Sequence, residues 1–169
     1  PFEHEDAERN DHNNFVGSRL MADILEWANN HPSIKDAILE RPIDLTSMDG
    51  MTDYGMPCVK ARTLTIDEFR KYRCYIPLTS KPWWTATPWC TDNSPYSGAY
   101  YAYRIYTDGS VYYSYVCYEF FAPRPAFYLK SSILVSINDG APDKGIRDFS
   151  DTDLIDELYR RRRESYDPD

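Results

Sequence analysis

Between Ser18 and Asn29 the apolar positions repeat at helical spacing. Leu20, Met21, Ile24, Leu25 and Ala28 share one face, and Ser18 stands where an N-cap is needed, so a helix is expected over this stretch. Pro32 breaks the pattern. Ser33 is placed to cap a short second helix with Ile34, Ala37 and Ile38 inward, closed by Pro42. Residues 44–60 lack periodicity and carry turn signals at Asp49-Gly50 and Tyr54-Gly55, so they read as loop with short extended pieces. Thr65-Ile66-Asp67-Glu68 is a capping-box pattern. It predicts a third helix from Ile66 to Arg73, ended by Pro77.

From Trp83 onward the period changes to two. Tyr101, Tyr103 and Ile105 alternate with Ala102 and Arg104, and Thr107-Asp108-Gly109-Ser110 is a hairpin turn. Val111 to Tyr118 is the expected return strand. Pro123 and Pro125 interrupt pairing, and Ala126 to Ile137 reads as a further strand ending at Asn138-Asp139-Gly140. A polar linker then leads to a last helix capped by Ser150, with Leu154, Ile155 and Leu158 on one face and Arg160 to Arg163 near its C-terminus. Adjacent strand residues face opposite sides, so at least one of Trp83 and Trp84 is expected in a core. The pattern as a whole is α+β: short helices around a small antiparallel sheet, with a C-terminal helix appended. The expected divisions are a flexible acidic start over 1–12, a domain over 13–138, and linker plus helix over 139–169.

Composition sharpens this picture at one place. The chain has 169 residues and 15 tyrosines. The 39 residues from Trp83 to Phe121 hold three Trp, nine Tyr and two Phe, but only four charged residues: Asp92, Arg104, Asp108 and Glu119. No Lys lies between Lys81 and Lys130. Tyr with Ser, Gly and Asn is the mixture used by antibody contact surfaces, where rigid amphipathic rings bring area and small polar residues adapt. Strand propensity of Tyr, Trp and Thr is the competing explanation.

Charge and hydropathy exclude other classes. Net charge is −8, which argues against a nucleic-acid partner, and the acidic residues upstream of Arg160 to Arg163 offset that basic run. No apolar run is long enough to span a membrane. The first dozen residues are acidic and polar, so no signal peptide is expected in them. Four cysteines at 58, 74, 90 and 117 show no CxxC spacing, and His occurs only at 4, 12 and 31, so no metal site is expected. The even count permits two disulfides, with free thiols as the default. No Gly-rich phosphate loop or EF-hand pattern is present, and no cofactor is expected.

LTIDEFRKYRCYIP (Leu64 to Pro77), WWTATP (Trp83 to Pro88), IYTDGSV (Ile105 to Val111) and APRPAFYLK (Ala122 to Lys130) stand in an order that resembles a domain of gut bacteria and their prophages. That family reads WWLRSP, a DG hairpin, then GVRPA. It is similar to the variable proteins of diversity-generating retroelements, which have a C-type lectin-like fold. Here Thr85 and Ala86 replace the usual Leu and Arg, and Ala122 and Pro123 replace the usual Gly and Val. The calcium-binding triplets of sugar-binding C-type lectins are absent, so calcium-dependent lectin activity is not carried over.

The resemblance implies adenine-directed mutagenesis of a variable region at about residues 84–125. Asn codons so treated yield Tyr, Ser, Asp, Thr, Cys, Phe and Ala, but not Lys, Glu, Gln, Met or Trp. Trp89 and Glu119 are exceptions. The implied contact residues are Trp89, Cys90, Asp92, Asn93, Tyr96, Tyr100, Tyr101, Tyr103, Tyr106, Tyr112, Tyr113, Tyr115, Cys117, Tyr118 and Phe120, with Trp83, Trp84, Arg124 and Pro125 as scaffold. Tyr103 and Ile105 are expected to share a side. The expected function is ligand binding without catalysis, against a protein or glycan on a bacterial surface. The expected setting is a phage virion or the cell surface, with attachment through the C-terminal helix and homo-oligomers allowed. The alternatives are an undiversified structural or carbohydrate-binding surface domain, and a cysteine-dependent enzyme related to formylglycine-generating oxidases.

Overall fold

The computed structural model describes residues 2, 12–96 and 98–130, and the chain divides into two compact units at 1–129 and 130–169. The expected strand beyond Lys130, the linker and the C-terminal helix lie outside the described residues. The first unit is a mixed α+β domain.

Helix α1 spans Arg19–Asn29. The Ser18 hydroxyl accepts from the Met21 amide at 3.2 Å and donates to the Phe15 carbonyl at 2.7 Å, so one side chain starts the helix and ties it to the preceding turn. Leu20, Ile24 and Ala28 are buried as the periodicity predicts, whereas Leu25 at the edge of the stripe is exposed. Helix α2 is a single turn, Pro32–Lys35, with Pro at its start and His31 rather than Ser33 in the cap position. The expected continuation through Ile38 fails. Ile38–Leu39 is instead strand β1, paired antiparallel with β7 (Tyr128–Leu129). Ile38 is buried as expected, but by pairing with a segment far along the chain, a contact that local periodicity does not report.

Strand β2 (Arg41–Pro42) pairs with β3 (Cys58–Val59), and the loop between them turns at Gly50 and Gly55, both with positive φ. Helix α3 spans Ile66–Tyr72 and is followed by one 3-10 turn at Arg73–Tyr75. Its capping box forms: Thr65 accepts from the Glu68 amide at 3.2 Å, and Glu68 accepts from the Thr65 amide at 3.0 Å. Glu68 also pairs with Arg62, which is buried.

The main sheet has the order β4-β5-β6, with β4 at Trp83–Pro88, β5 at Tyr101–Ile105 and β6 at Val111–Tyr115. The hairpin turns at Gly109 (φ +80°), where Arg73 donates to the Gly109 carbonyl and anchors the tip to the end of α3. The return strand ends at Tyr115 rather than Tyr118, in a turn closed by the Tyr118 amide on the Tyr115 carbonyl at 3.2 Å.

Both tryptophans of the Trp83-Trp84 pair are buried, in different cores. Trp83 packs with Ile66, Phe69 and Ile105 beneath α3. Trp84 packs with Phe2, Phe15, Leu20, Ile24, Ala86 and Ala102 on the other side of the sheet. Between Trp84, which pairs with Arg104, and Pro88, which pairs with Ala102, β4 carries two extra residues. Three threonine bonds lie at this bulge. Thr85 donates to the Tyr103 carbonyl at 2.8 Å, Thr87 accepts from the Ile66 amide at 2.9 Å, and Thr63 donates to the Trp84 carbonyl at 2.8 Å. Thr85 and Thr63 thus bond carbonyls at the bulge, while Thr87 satisfies the first amide of α3.

The expectation of a mobile start does not hold at Phe2. Its ring meets Trp84 edge-on at 5.7 Å and Phe15 at 6.2 Å, and its amide donates to the Val116 carbonyl at 2.9 Å. An aromatic side chain among acidic neighbours gains more from burial than it loses in chain entropy. Phe2→Ala is expected to cost about 3–5 kcal/mol in a denaturant titration, the range for emptying a buried aromatic site. A change below roughly 0.5 kcal/mol, typical of a surface position, would overturn this placement.

Candidate binding surface

The β5–β6 register sorts the tyrosines onto two faces. Tyr101 pairs with Tyr115, Tyr103 with Tyr113 and Ile105 with Val111 on the first face; Ala102 pairs with Ser114 and Arg104 with Tyr112 on the second. Tyr103 and Ile105 thus share a side, as expected, and Trp83, opposite Ile105, belongs to that side too. The Ile105 end of the first face lies under α3. The other end is open and carries connected rings: Trp89 meets Tyr96 at 6.5 Å, Tyr101 at 6.0 Å and Tyr113 at 5.9 Å, and Tyr101 meets Tyr115 at 4.3 Å. Tyr118 extends the row from Tyr115, at 6.0 Å.

Of the nine tyrosines in the aromatic segment, Tyr96, Tyr100, Tyr106, Tyr112, Tyr113, Tyr115 and Tyr118 are exposed, and Tyr101 and Tyr103 are half-buried. None is in the core. The buried positions between Gly98 and Val116 are instead Gly98, Ala99, Ala102, Ile105, Gly109 and Val116. Tyr100 stacks on His12 at 5.0 Å, and Phe120 stands clear at 81 % exposure. Asp92 and Cys117 are exposed. Trp83 and Trp84 are buried, one in each core. Arg124 lies over the Trp83 ring at 5.0 Å and donates to the Pro77 carbonyl at 3.0 Å, with Pro125 half-buried beside it.

Cys90 departs from its expected place on the contact surface. It is fully buried, and its thiol donates to the Tyr96 carbonyl at 3.3 Å. Burial pushes the thiol pKa up, which is opposite to the activation of a nucleophile. All four cysteines are free, and among the described residues no cluster of His, Cys, Asp and Glu could hold a metal ion.

The loop bearing Asp92, Asn93 and Tyr96 is held from below. Thr91 and Asn93 donate to the Asp53 carboxylate at 2.7 and 3.0 Å, and Ser94 donates to Asp49 at 2.5 Å. The Thr91 bond, with help from Asn93, holds the Asp53 pKa below its ordinary value. At Asp49, partial desolvation is outweighed by bonds from Ser47 and Ser94, so its pKa is lowered too. Asn93 therefore holds the loop in place. Asn13 anchors the other end: its buried amide donates to the Cys90 carbonyl at 2.8 Å and the Tyr101 carbonyl at 2.7 Å, and accepts from the Tyr54 hydroxyl at 2.8 Å. No motif in the sequence marks Asn13 or Gly98 for these roles. A Cβ on Gly98 would sit 2.4 Å from the Trp89 ring, so the glycine is the seat of that indole.

Gly98→Ala is expected to push Trp89 outward, read as a red shift in tryptophan emission that is absent when Trp89→Phe is the background; an unchanged spectrum would refute the seat. The hydrogen bond with Tyr115 is the main reason the Tyr101 phenol is pushed up to about 12. An unfolded phenol ionises near the ordinary 10, so the stabilisation from Tyr101 is whole below pH ~10 and is lost as pH rises towards 12. Tyr115→Phe should return the late-titrating tyrosine towards the ordinary value in an absorbance titration.

No known protein family, no curated protein and no solved structure matches this chain.

Proposed function

We propose that this chain is a ligand-binding module without catalysis, built on a C-type lectin-like scaffold and diversified by retroelement mutagenesis. Its contact surface is the open, aromatic end of the β5–β6 hairpin with the loop at 89–96. One observation carries the reading: Trp89, Tyr96, Tyr101, Tyr113, Tyr115 and Tyr118 form a connected ring surface facing solvent on a sheet backed by the larger core and flanked on the same face by the smaller one. Rigid Tyr and Trp anchors at low charge suit a protein or glycan target. The tyrosines occupy accessible positions while small or aliphatic residues fill the buried ones, as a variable surface on a constant scaffold requires.

The setting that fits is a phage virion or a bacterial surface, with attachment through the C-terminal segment and many copies converting modest affinity into avidity. Among the described residues no helix is long and apolar enough to cross a membrane.

Two experiments test this. Sequencing the locus should find a near-copy of the segment coding for residues 84–125, differing only at adenines, beside a reverse transcriptase. Sibling copies should vary at Tyr96, Tyr101, Tyr113 and Tyr115 and keep Trp83, Trp84, Ala102 and Ile105; even variation along the chain would indicate an undiversified surface domain. For binding, the chain is screened against whole bacterial cells. Tyr101→Ala and Tyr113→Ala should each lower cell binding at least about tenfold. Tyr75→Ala, an exposed tyrosine on the 3-10 turn, should not. Equal effects from all three would reject the surface.

A further inference from the structure

The second face of the hairpin carries a different chemistry. Arg104 is the only cation from Trp83 to Phe121. Its guanidinium lies over three rings, at 4.6 Å from Phe121, 5.3 Å from Tyr106 and 5.6 Å from Tyr112. Its Nε donates to the Ser114 hydroxyl at 2.7 Å, while Nη1 is enclosed and has no acceptor. Among the described residues no carboxylate lies within ion-pair distance of it. The other arginines packed into the domain reach a carboxylate or a backbone carbonyl: Arg62 on Glu68, although its Nη1 is also covered and unpartnered, Arg73 on the Gly109 carbonyl and Arg124 on the Pro77 carbonyl.

We propose that Arg104, framed by Tyr106, Tyr112 and Phe121, is a recognition site for an anionic group, a carboxylate or a phosphate, on the ligand. The proposal deepens the binding-module reading and rests on it for biological meaning, but its chemistry stands on Arg104 alone. Ring faces attract a guanidinium without neutralising it, so among the described residues the Arg104 charge has no counter-ion. With Nε on Ser114 and Nη1 covered, Nη2 is the donor left to meet an oxygen of a carboxylate or phosphate. Arg104 is half-buried, so the frame desolvates it without sealing it off. The exposed phenols of Tyr106 and Tyr112 add hydroxyl donors at the rim. The net charge of −8 opposes anions at long range, but beyond ~8 Å at physiological ionic strength that repulsion is largely screened. Short-range recognition is what remains.

The test is a titration of the full chain, followed through the arginine Nε–H and tyrosine ring resonances by NMR. The probes are sodium glucuronate, glycerol 3-phosphate and, as a neutral control, glucose. The expected result is a saturable shift of the Arg104 Nε–H and of the Tyr106 and Tyr112 rings with one or both anions, and none with glucose. Response to glucuronate alone identifies a carboxylate reader, and to glycerol phosphate alone a phosphate reader. Arg104→Gln should abolish the shifts of the two rings, and Arg104→Lys should retain them at least about threefold weaker. Should Arg104→Gln not fold, Tyr112→Leu, which keeps the cation and removes one flank, should weaken binding to a similar degree. Absence of a saturable shift in the unaltered chain, equal shifts with glucose, or ring shifts that persist in a folded Arg104→Gln overturn the proposal. Tyr101→Ala and Tyr113→Ala should lose cell binding yet keep the anion response, so failure of either reading is seen separately.

Discussion

Everything in the domain hangs on two adjacent tryptophans that face opposite ways. Trp83 goes under α3 with Ile66, Phe69 and Ile105, and Trp84 goes into the larger core with Phe2, Phe15 and Ala102. A strand that buries a large ring on each side is fixed against both rotation and slippage, because a one-residue shift would exchange the two cores. β5 pairs with this strand and β6 pairs with β5, so the position of every hairpin tyrosine follows from the seating of two indoles.

The rest of the domain keeps that arrangement compatible with an irregular surface. The bulge in β4 allows the chain to reach Trp89 and the loop beyond it, and the Thr85 and Thr63 hydroxyls bond the carbonyls of Tyr103 and Trp84 at the bulge. Asn13 and the Asp49 and Asp53 carboxylates hold the loop at both ends. The ring surface is therefore displayed on a backbone whose polar groups are satisfied from beneath. Substitution of an exposed ring leaves those bonds in place, which is the physical condition for a surface that changes while its scaffold does not.

Much of this is legible in the chain. The Ser18 cap, the stripe of Leu20, Ile24 and Ala28, the Thr65–Glu68 capping box and the Asp108-Gly109 turn are local signals, and each forms because neighbours within four residues suffice. Features closed by distant partners are not. Ile38 lies in a strand because Leu129 pairs with it. Phe2 is core because Trp84 and Phe15 offer it a site. Cys90 has the residue type and neighbours of a variable surface, yet it is covered because the loop beyond β4 folds back and brings the Tyr96 carbonyl onto its thiol. Arg104 is visible in the sequence only as a lone charge; that it lies among three rings depends on the register of β6 and the return of Phe121.

The sequence by itself determined which stretch is rich in tyrosine and poor in charge, where helices start, where the hairpin turns, and that Trp83 and Trp84 face opposite sides. Those properties depend on residue type and spacing along a few bonds. Tertiary structure alone decided that all nine tyrosines stay out of the core, that the strand tyrosines divide between a neutral face and a face bearing one arginine, that Gly98 seats Trp89, and that Asn13 ties the loop to β5. Which side of a sheet meets solvent is set by what packs against the other side, and that partner is brought by chain folding over many tens of residues.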